Sequence, residues 1–235
     1  MISPSDNPND QPEKQNAPAR ASVEQCIEQI SAHIHRHVGK VATVFHELVS
    51  DELHIDVHIV EPKPEMPVYF AITSGMSCLA MNAPAGHPEL RYAELVVSLP
   101  KDWPMDHDSW SDERNYWPIR WLKTLARYPH QFGRGIGLGH TLQNGDPPRP
   151  YAPSTRQCCA LILSPLNCNN AFWRLNLSDD EVINFYSFVP IYKEEMQFAR
   201  KSGGLALFDK LEAAGISDVI DPGRPNVCKK RFGIF

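Results

Sequence analysis

The chain has 235 residues, of which 42% are hydrophobic and 22% charged. That balance is ordinary for a globular protein and excludes the low-hydrophobicity, high-charge composition of disordered chains. A net charge of −5 excludes a protein built to neutralise nucleic-acid backbone, which needs a basic face that releases counterions; the basic run Lys229-Lys230-Arg231 reads as a solvated chain end. No apolar window of roughly 18 residues occurs and no charged start precedes an apolar segment, so a cytoplasmic protein away from the membrane is expected.

Residues 1–20 are rich in Asn, Asp, Gln and Pro and offer almost nothing to bury, which predicts a disordered leader before a domain over 21–235. From Ser22 the apolar residues Val23, Cys26, Ile27, Ile30, Ile34 and Val38 recur at three- and four-residue intervals, the stripe of an amphipathic helix ending near Gly39. Residues 53–59 alternate apolar and polar, predicting a strand with one buried face and His54, Asp56 and His58 on the other. Further strands are expected at 68–73 and 94–99, each bounded by Pro or Gly.

An acidic loop follows, with Asp102, Asp106, Asp108, Asp112 and Glu113 between Lys101 and Asn115. Pro118 suits the first turn of a helix whose stripe uses Ile119, Leu122, Leu125 and Ala126, and Pro129 is expected to stop it. The series Gly133, Gly135, Gly137 and Gly139 reads as a strand or ribbon with one bare face, open to close approach of another backbone or a ligand. Strands at 158–163, 171–177 and 182–189, a turn at Asn144-Gly145, and helices at 191–201 and 205–214 complete the pattern before an extended tail with Pro222 and Pro225. Strands and helices do not alternate regularly. The expected fold is therefore α+β: a mixed, largely antiparallel sheet with helices packed on its faces.

Tests for chemistry mostly fail. Of His33, His35 and His37 only the first and last share a helix face, so a solvated helix end is the better reading than a metal tract. His46-Glu47 begins an HExxH pattern, but Ser50 stands where the second histidine must be. The glycine series fits no phosphate-binding loop, and the six cysteines contain no CxxC pair, so they are expected to be reduced thiols. The best catalytic alternative is a metal-dependent hydrolase built on His54, Asp56 and His58, whose period-2 spacing would align two imidazoles and a carboxylate. A polar sheet face produces the same row, so no cofactor and no metal are expected.

Trp103, Trp110, Tyr116, Trp117 and Trp121 crowd beside the acidic residues. Trp117 and Trp121 are expected in the core, whereas Trp103 and Trp110 with Asp106, Asp108 and Asp112 are candidates for a partner-binding surface, where rings anchor and carboxylates steer.

The segment Trp117-Pro118-Ile119-Arg120-Trp121 through His130, running into Gly137-Leu138-Gly139-His140-Thr141, carries a resemblance. Together with His54-Ile55-Asp56-Val57-His58, Ser74-Gly75-Met76-Ser77, Tyr92-Ala93-Glu94-Leu95 and Asn184-Phe185-Tyr186, it resembles the Suppressor of fused domain family over most of 53–228. The resemblance implies a non-enzymatic protein-binding module. The animal member holds zinc-finger transcription factors by closing around a peptide that adds as a strand. The bacterial stand-alone form, which this chain looks like, is associated with toxin systems as an immunity protein. The expected partner is then a cognate toxin or a regulatory protein, with no direct nucleic-acid contact. Recognition would fall on 117–128, on Gly139 and His140, and on 221–228.

Overall fold

The computed structural model describes residues 23–47, 53–178 and 181–229. In chain order the elements are α1 (Val23–His37), β1 (Val41–Phe45), β2 (Asp56–Val60), β3 (Val68–Ser74), β4 (Tyr92–Pro100), α2 (Glu113–Phe132), β5 (Thr141–Gln143), β6 (Cys159–Leu163), β7 (Arg174–Asn176), β8 (Val182–Ile191), α3 (Lys193–Ser202) and α4 (Gly204–Ala213). The strands form one eight-stranded sheet ordered β1-β2-β3-β4-β8-β6-β5, with β7 pairing β8 off this path. Among the described strands only β4 and β8 run parallel; every other strand pair is antiparallel. The mixed α+β sheet expected from the sequence is the one observed. The expected leader, residues 1–20, lies outside the described residues.

Period-2 alternation sends successive side chains to opposite faces, and here both faces are covered. On one face Val57, Ile59, Ala71, Leu95, Val97, Ile162 and Phe188 pack beneath α2, which contributes Trp117, Leu122, Leu125 and Ala126. On the other, Phe70, Ile72, Val96 and Phe185 meet Cys26, Ile30 and Ile34 of α1. Farther along that face, Leu161, Val189 and Ile191 meet Met196 and Ala199 of α3 and Leu207 and Leu211 of α4. Burying Ile30 and Ile34 contributes about 2 kcal/mol each, which explains why the α1 stripe is readable from sequence. Trp117 and Trp121 are core residues, as expected, and Trp117 stacks on Tyr151 at 5.3 Å.

Several sequence-level expectations need correction. The strand at 53–59 is not half-solvated: β2 begins at Asp56 and all five of its residues are buried, while His54 precedes it and is exposed. His33 is no solvated helix end; its Nε2 lies 3.0 Å from the Phe172 carbonyl and its ring stacks with Phe172 and Phe185. The helix expected from Pro118 to Pro129 starts at Glu113 and runs through both prolines to Phe132. Asp112 is its cap, accepting from the Arg114 amide at 2.9 Å, and the Ser154 hydroxyl donates to the Arg114 carbonyl that Pro118 cannot satisfy.

The glycine series is not a strand. Gly133, at φ +58°, closes α2, and irregular backbone follows to His140. The strand expected at 171–177 shrinks to β7, because Asn170–Trp173 form a 3-10 turn capped by the Asn169 side chain. No disulfide joins any of the six cysteines: Cys26, Cys158 and Cys159 are buried and the other three partly so. Among the described residues no helix is long and apolar enough to cross a membrane.

Candidate functional site

Strand β8 is where the sheet forks. On the edge away from β4, β6 pairs with it only as far as Ser187, and β7 begins pairing at Asn184. Among the described residues Phe185 and Tyr186 have no ladder partner on that edge, between the two diverging strands. A cleft of about 680 Å³ occupies the fork, lined among others by Leu138, His140, Trp173, Arg174, Asn184 and Tyr186.

The wall opposite β8 is the glycine segment, and its conformation depends on missing side chains. A Cβ on Gly135 would lie 2.4 Å from the Asn82 carbonyl oxygen, and the Asn82 amide donates to the Gly133 carbonyl at 2.6 Å. At its far end Gly139 donates to the Ile162 carbonyl at 2.8 Å, and Ile162 donates back to His140 at 2.9 Å. Close backbone approach, expected of this ribbon, is thus real although the strand is not. Leu138 stands 51% exposed at the rim, an apolar side chain that the fold leaves unused. Asn184 fixes the floor by donating to the carbonyls of Glu89 at 2.7 Å and Tyr92 at 3.3 Å.

The acidic-aromatic loop contributes no residue to this cleft. Trp103 and Trp110 are half-buried; their indole N–H groups donate to the Asn115 and Pro104 carbonyls, each at 3.0 Å, and Trp110 packs 4.4 Å from the Phe45 ring. Asp106 accepts from the Ser109 amide and hydroxyl, and Asp112 caps α2 and pairs with Arg114. Of the three candidate aspartates only Asp108 leaves its carboxylate wholly in solvent. Of the other two candidates, His140 lines the cleft and Gly139 sits just behind it, against the start of α4.

The row His54, Asp56, His58 does not assemble. His58 is buried and its Nε2 lies 2.9 Å from the Ser74 hydroxyl. His54 Nε2 reaches Asp56 Oδ1 at 2.8 Å, and the second imidazole on that carboxylate is His46, whose Nδ1 lies 2.9 Å from Oδ2. Burial raises the Asp56 carboxyl, but the His46 hydrogen bond, the Glu47 amide and the nearby His54 outweigh it and hold the group below the ordinary carboxylate range. The sequence pointed at His46 only through a failed HExxH pattern.

Two of the resemblance segments meet in the interior. Glu94, fully buried, accepts from the amides of Gly75 at 3.0 Å and Ser77 at 2.9 Å, and from the hydroxyls of Ser77 and Thr73, each at 2.6 Å. Another buried carboxylate, Asp218, accepts from Ser187, Leu166 and Asn167 at 2.9, 3.1 and 2.5 Å. The expected recognition tail at 221–228 is held by its own ion pair: Arg224 donates to both oxygens of Glu195, at 2.8 and 2.7 Å, with both side chains at most 3% exposed. Neither Asp218 nor this pair was singled out from the sequence, because nothing local distinguishes a buried charge from a surface one.

The family model described as Suppressor of fused protein matches residues 51–225, about three quarters of the chain. The chain belongs to the Suppressor of fused family. Its fold is shared with a Suppressor of fused homologue from Neisseria gonorrhoeae FA 1090, at 19% identity and TM-score 0.60, covering 88% of this chain and all of that one. It is similar at 13% identity and TM-score 0.59 to the protein in a Sufu–Fu complex, over 87% of this chain and 91% of the other. Drosophila Suppressor of Fused matches at 14% identity and TM-score 0.57, with 86% of this chain aligned to 50% of that one. No curated protein matches the chain.

Proposed function

We propose that this member of the Suppressor of fused family is a cytoplasmic, non-enzymatic protein-binding module that captures a segment of a partner at the β8 fork. The observation that carries the reading is the pair Phe185-Tyr186, which is bound to β4 on one edge but among the described residues has no partner on the other, where the cleft rimmed by exposed Leu138 lies. A sheet edge beside an apolar side chain offers main-chain hydrogen bonds for affinity and a contact for specificity, as β-augmentation requires. The similar fold in a complex of Sufu with Fu supports a protein partner. An immunity or antitoxin-type role, in which a cognate toxin is bound and blocked, is the most specific form of this reading. The acidic-aromatic loop, with Trp103, Asp106, Asp108, Trp110 and Asp112, forms a second contact surface for a basic region of the same partner.

Affinity purification from the source organism followed by mass spectrometry, and co-expression with toxins encoded beside the gene, test this reading. A stoichiometric toxin whose lethality is suppressed by this protein supports the immunity form; a stoichiometric transcription regulator selects sequestration instead. For either partner, Leu138→Asp is expected to weaken binding about tenfold or more, the cost of losing an apolar anchor. Its melting temperature should stay near the parent's because Leu138 is exposed. Unchanged affinity in Leu138→Asp would move the interface off the cleft.

A further inference from the structure

We infer that His46, His54 and Asp56 form a binding site for one divalent transition ion of the Zn²⁺ class, independent of the protein-binding cleft. The three residues come from the two sides of one chain reversal: His46 directly follows β1, His54 precedes β2, and Asp56 opens β2. One donor atom from each lies within 4.8 Å of the other two. Around a tetrahedral ion with bonds near 2.1 Å, donors stand about 3.4 Å apart. The present His–Asp separations of 2.9 and 2.8 Å therefore need to open by about half an ångström, and any separation near the 4.8 Å bound of the cluster needs to close by about 1.4 Å. The two side chains that must move are 68% and 47% exposed, whereas the carboxylate is 6% exposed and fixed from behind by the Glu47 amide at 3.2 Å.

The donor chemistry selects the ion. Two imidazoles with one carboxylate suit Zn²⁺, Co²⁺ or Ni²⁺; Mg²⁺ and Ca²⁺ prefer all-oxygen shells. The site also suits a cation electrostatically. Asp56 is a buried carboxylate with no lysine or arginine paired to it among the described residues, since Arg127 pairs with Glu47 instead. Neutral imidazoles that donate to Asp56 bind metal by changing tautomer: the proton leaves His46 Nδ1 and His54 Nε2 and is carried on the opposite ring nitrogen. His58, next on the same strand face, turns its Nε2 to Ser74 and is not part of the cluster of donor atoms, so the set has three protein donors and a fourth position is left for water. A bound ion closes the reversal between β1 and β2 and so fastens the edge strand of the sheet.

The test is calorimetric titration of tag-free, chelator-treated protein with Zn²⁺ alone, and Co²⁺ absorption as a report on geometry. One ion per chain is expected with a Kd of about 1 μM, a tetrahedral-type Co²⁺ spectrum, and a rise in melting temperature on loading. His46→Gln and His54→Gln should each weaken binding at least about tenfold while melting like the parent without metal. His87→Gln, at an exposed histidine paired with Glu89, should change nothing. A Kd weaker than about 100 μM, or binding that is equally tight in both site variants, overturns the proposal.

Discussion

An Arg224→Ala variant is expected to lose about 3–5 kcal/mol of unfolding free energy, read as a lower urea midpoint at unchanged slope. For a chain of this size that corresponds to roughly 10 °C in melting temperature. The guanidinium is buried and donates four hydrogen bonds: one from each terminal nitrogen to a Glu195 oxygen, and one from each to the carbonyls of Pro190 and Pro225. Removing it leaves the Glu195 carboxylate, 0% exposed, without its counter-charge. The pair is also the latch of the C-terminal segment. Glu195 accepts from the Val227 amide at 2.9 Å and from the Tyr192 amide at 2.9 Å, and the Tyr192 hydroxyl donates to the Arg224 carbonyl at 2.5 Å. Because an uncompensated buried charge costs more than an absent pair, the double variant Arg224→Met, Glu195→Leu should be more stable than Arg224→Ala alone. It should not recover fully, since the Tyr192 and Val227 amides lose their acceptor. A single-variant cost under about 1 kcal/mol would show that the tail is held by something else.

Gly75→Ala should be nearly as damaging, at about 2–5 kcal/mol, with two separable causes. Gly75 adopts φ +110°, which an L side chain resists, and an added Cβ would stand 2.0 Å from the His54 carbonyl oxygen, a backbone atom that cannot swing away. The residue cannot shift without loss either, because its amide is one of the four donors that satisfy buried Glu94. Gly86→Ala separates the two causes: φ is +84° there, with nothing within 4 Å of the new Cβ. That variant should cost only about 1–2 kcal/mol, the backbone term alone. Equal melting temperatures for the two variants would exclude close packing as the reason for glycine at position 75.

These two sites change the meaning of the segments that carry the family resemblance. Ser74-Gly75-Met76-Ser77 and Tyr92-Ala93-Glu94-Leu95 are separate in sequence but make one buried knot around the Glu94 carboxylate. The tail at 221–228, expected to be a recognition segment, is anchored by Arg224 and Glu195. By contrast, Gly139-His140 and Asn184-Phe185-Tyr186, also far apart in the chain, meet at the fork of β8, where His140 and Tyr186 line an open cleft.

Misjudged boundaries have local explanations. Pro118 is a strong signal for a helix start, yet the helix begins at Glu113, because Asp112 caps it and packing of Trp117 and Ile119 repays the amide that Pro118 lacks. β1 went unrecognised because its five residues, at the sheet edge, are half-buried to exposed with no clean alternation. β5 has only three residues, too few for any period to show.

What the sequence determined by itself is whatever depends on spacing within one element: the α1 stripe, the strands expected at 68–73, 94–99, 158–163 and 182–189 and found within two residues of those bounds, the α+β class, and the family. Only the tertiary structure decided which polar side chains meet. His46 replaced His58 beside Asp56 because β1 pairs antiparallel with β2 and carries the chain end of one strand to the start of the other. Likewise the parallel pairing of β4 with β8, between two antiparallel halves of the sheet, places the fork and its cleft. Periodicity reports whether a face is buried; the partner across that face is set by strand order and register, which no local pattern encodes.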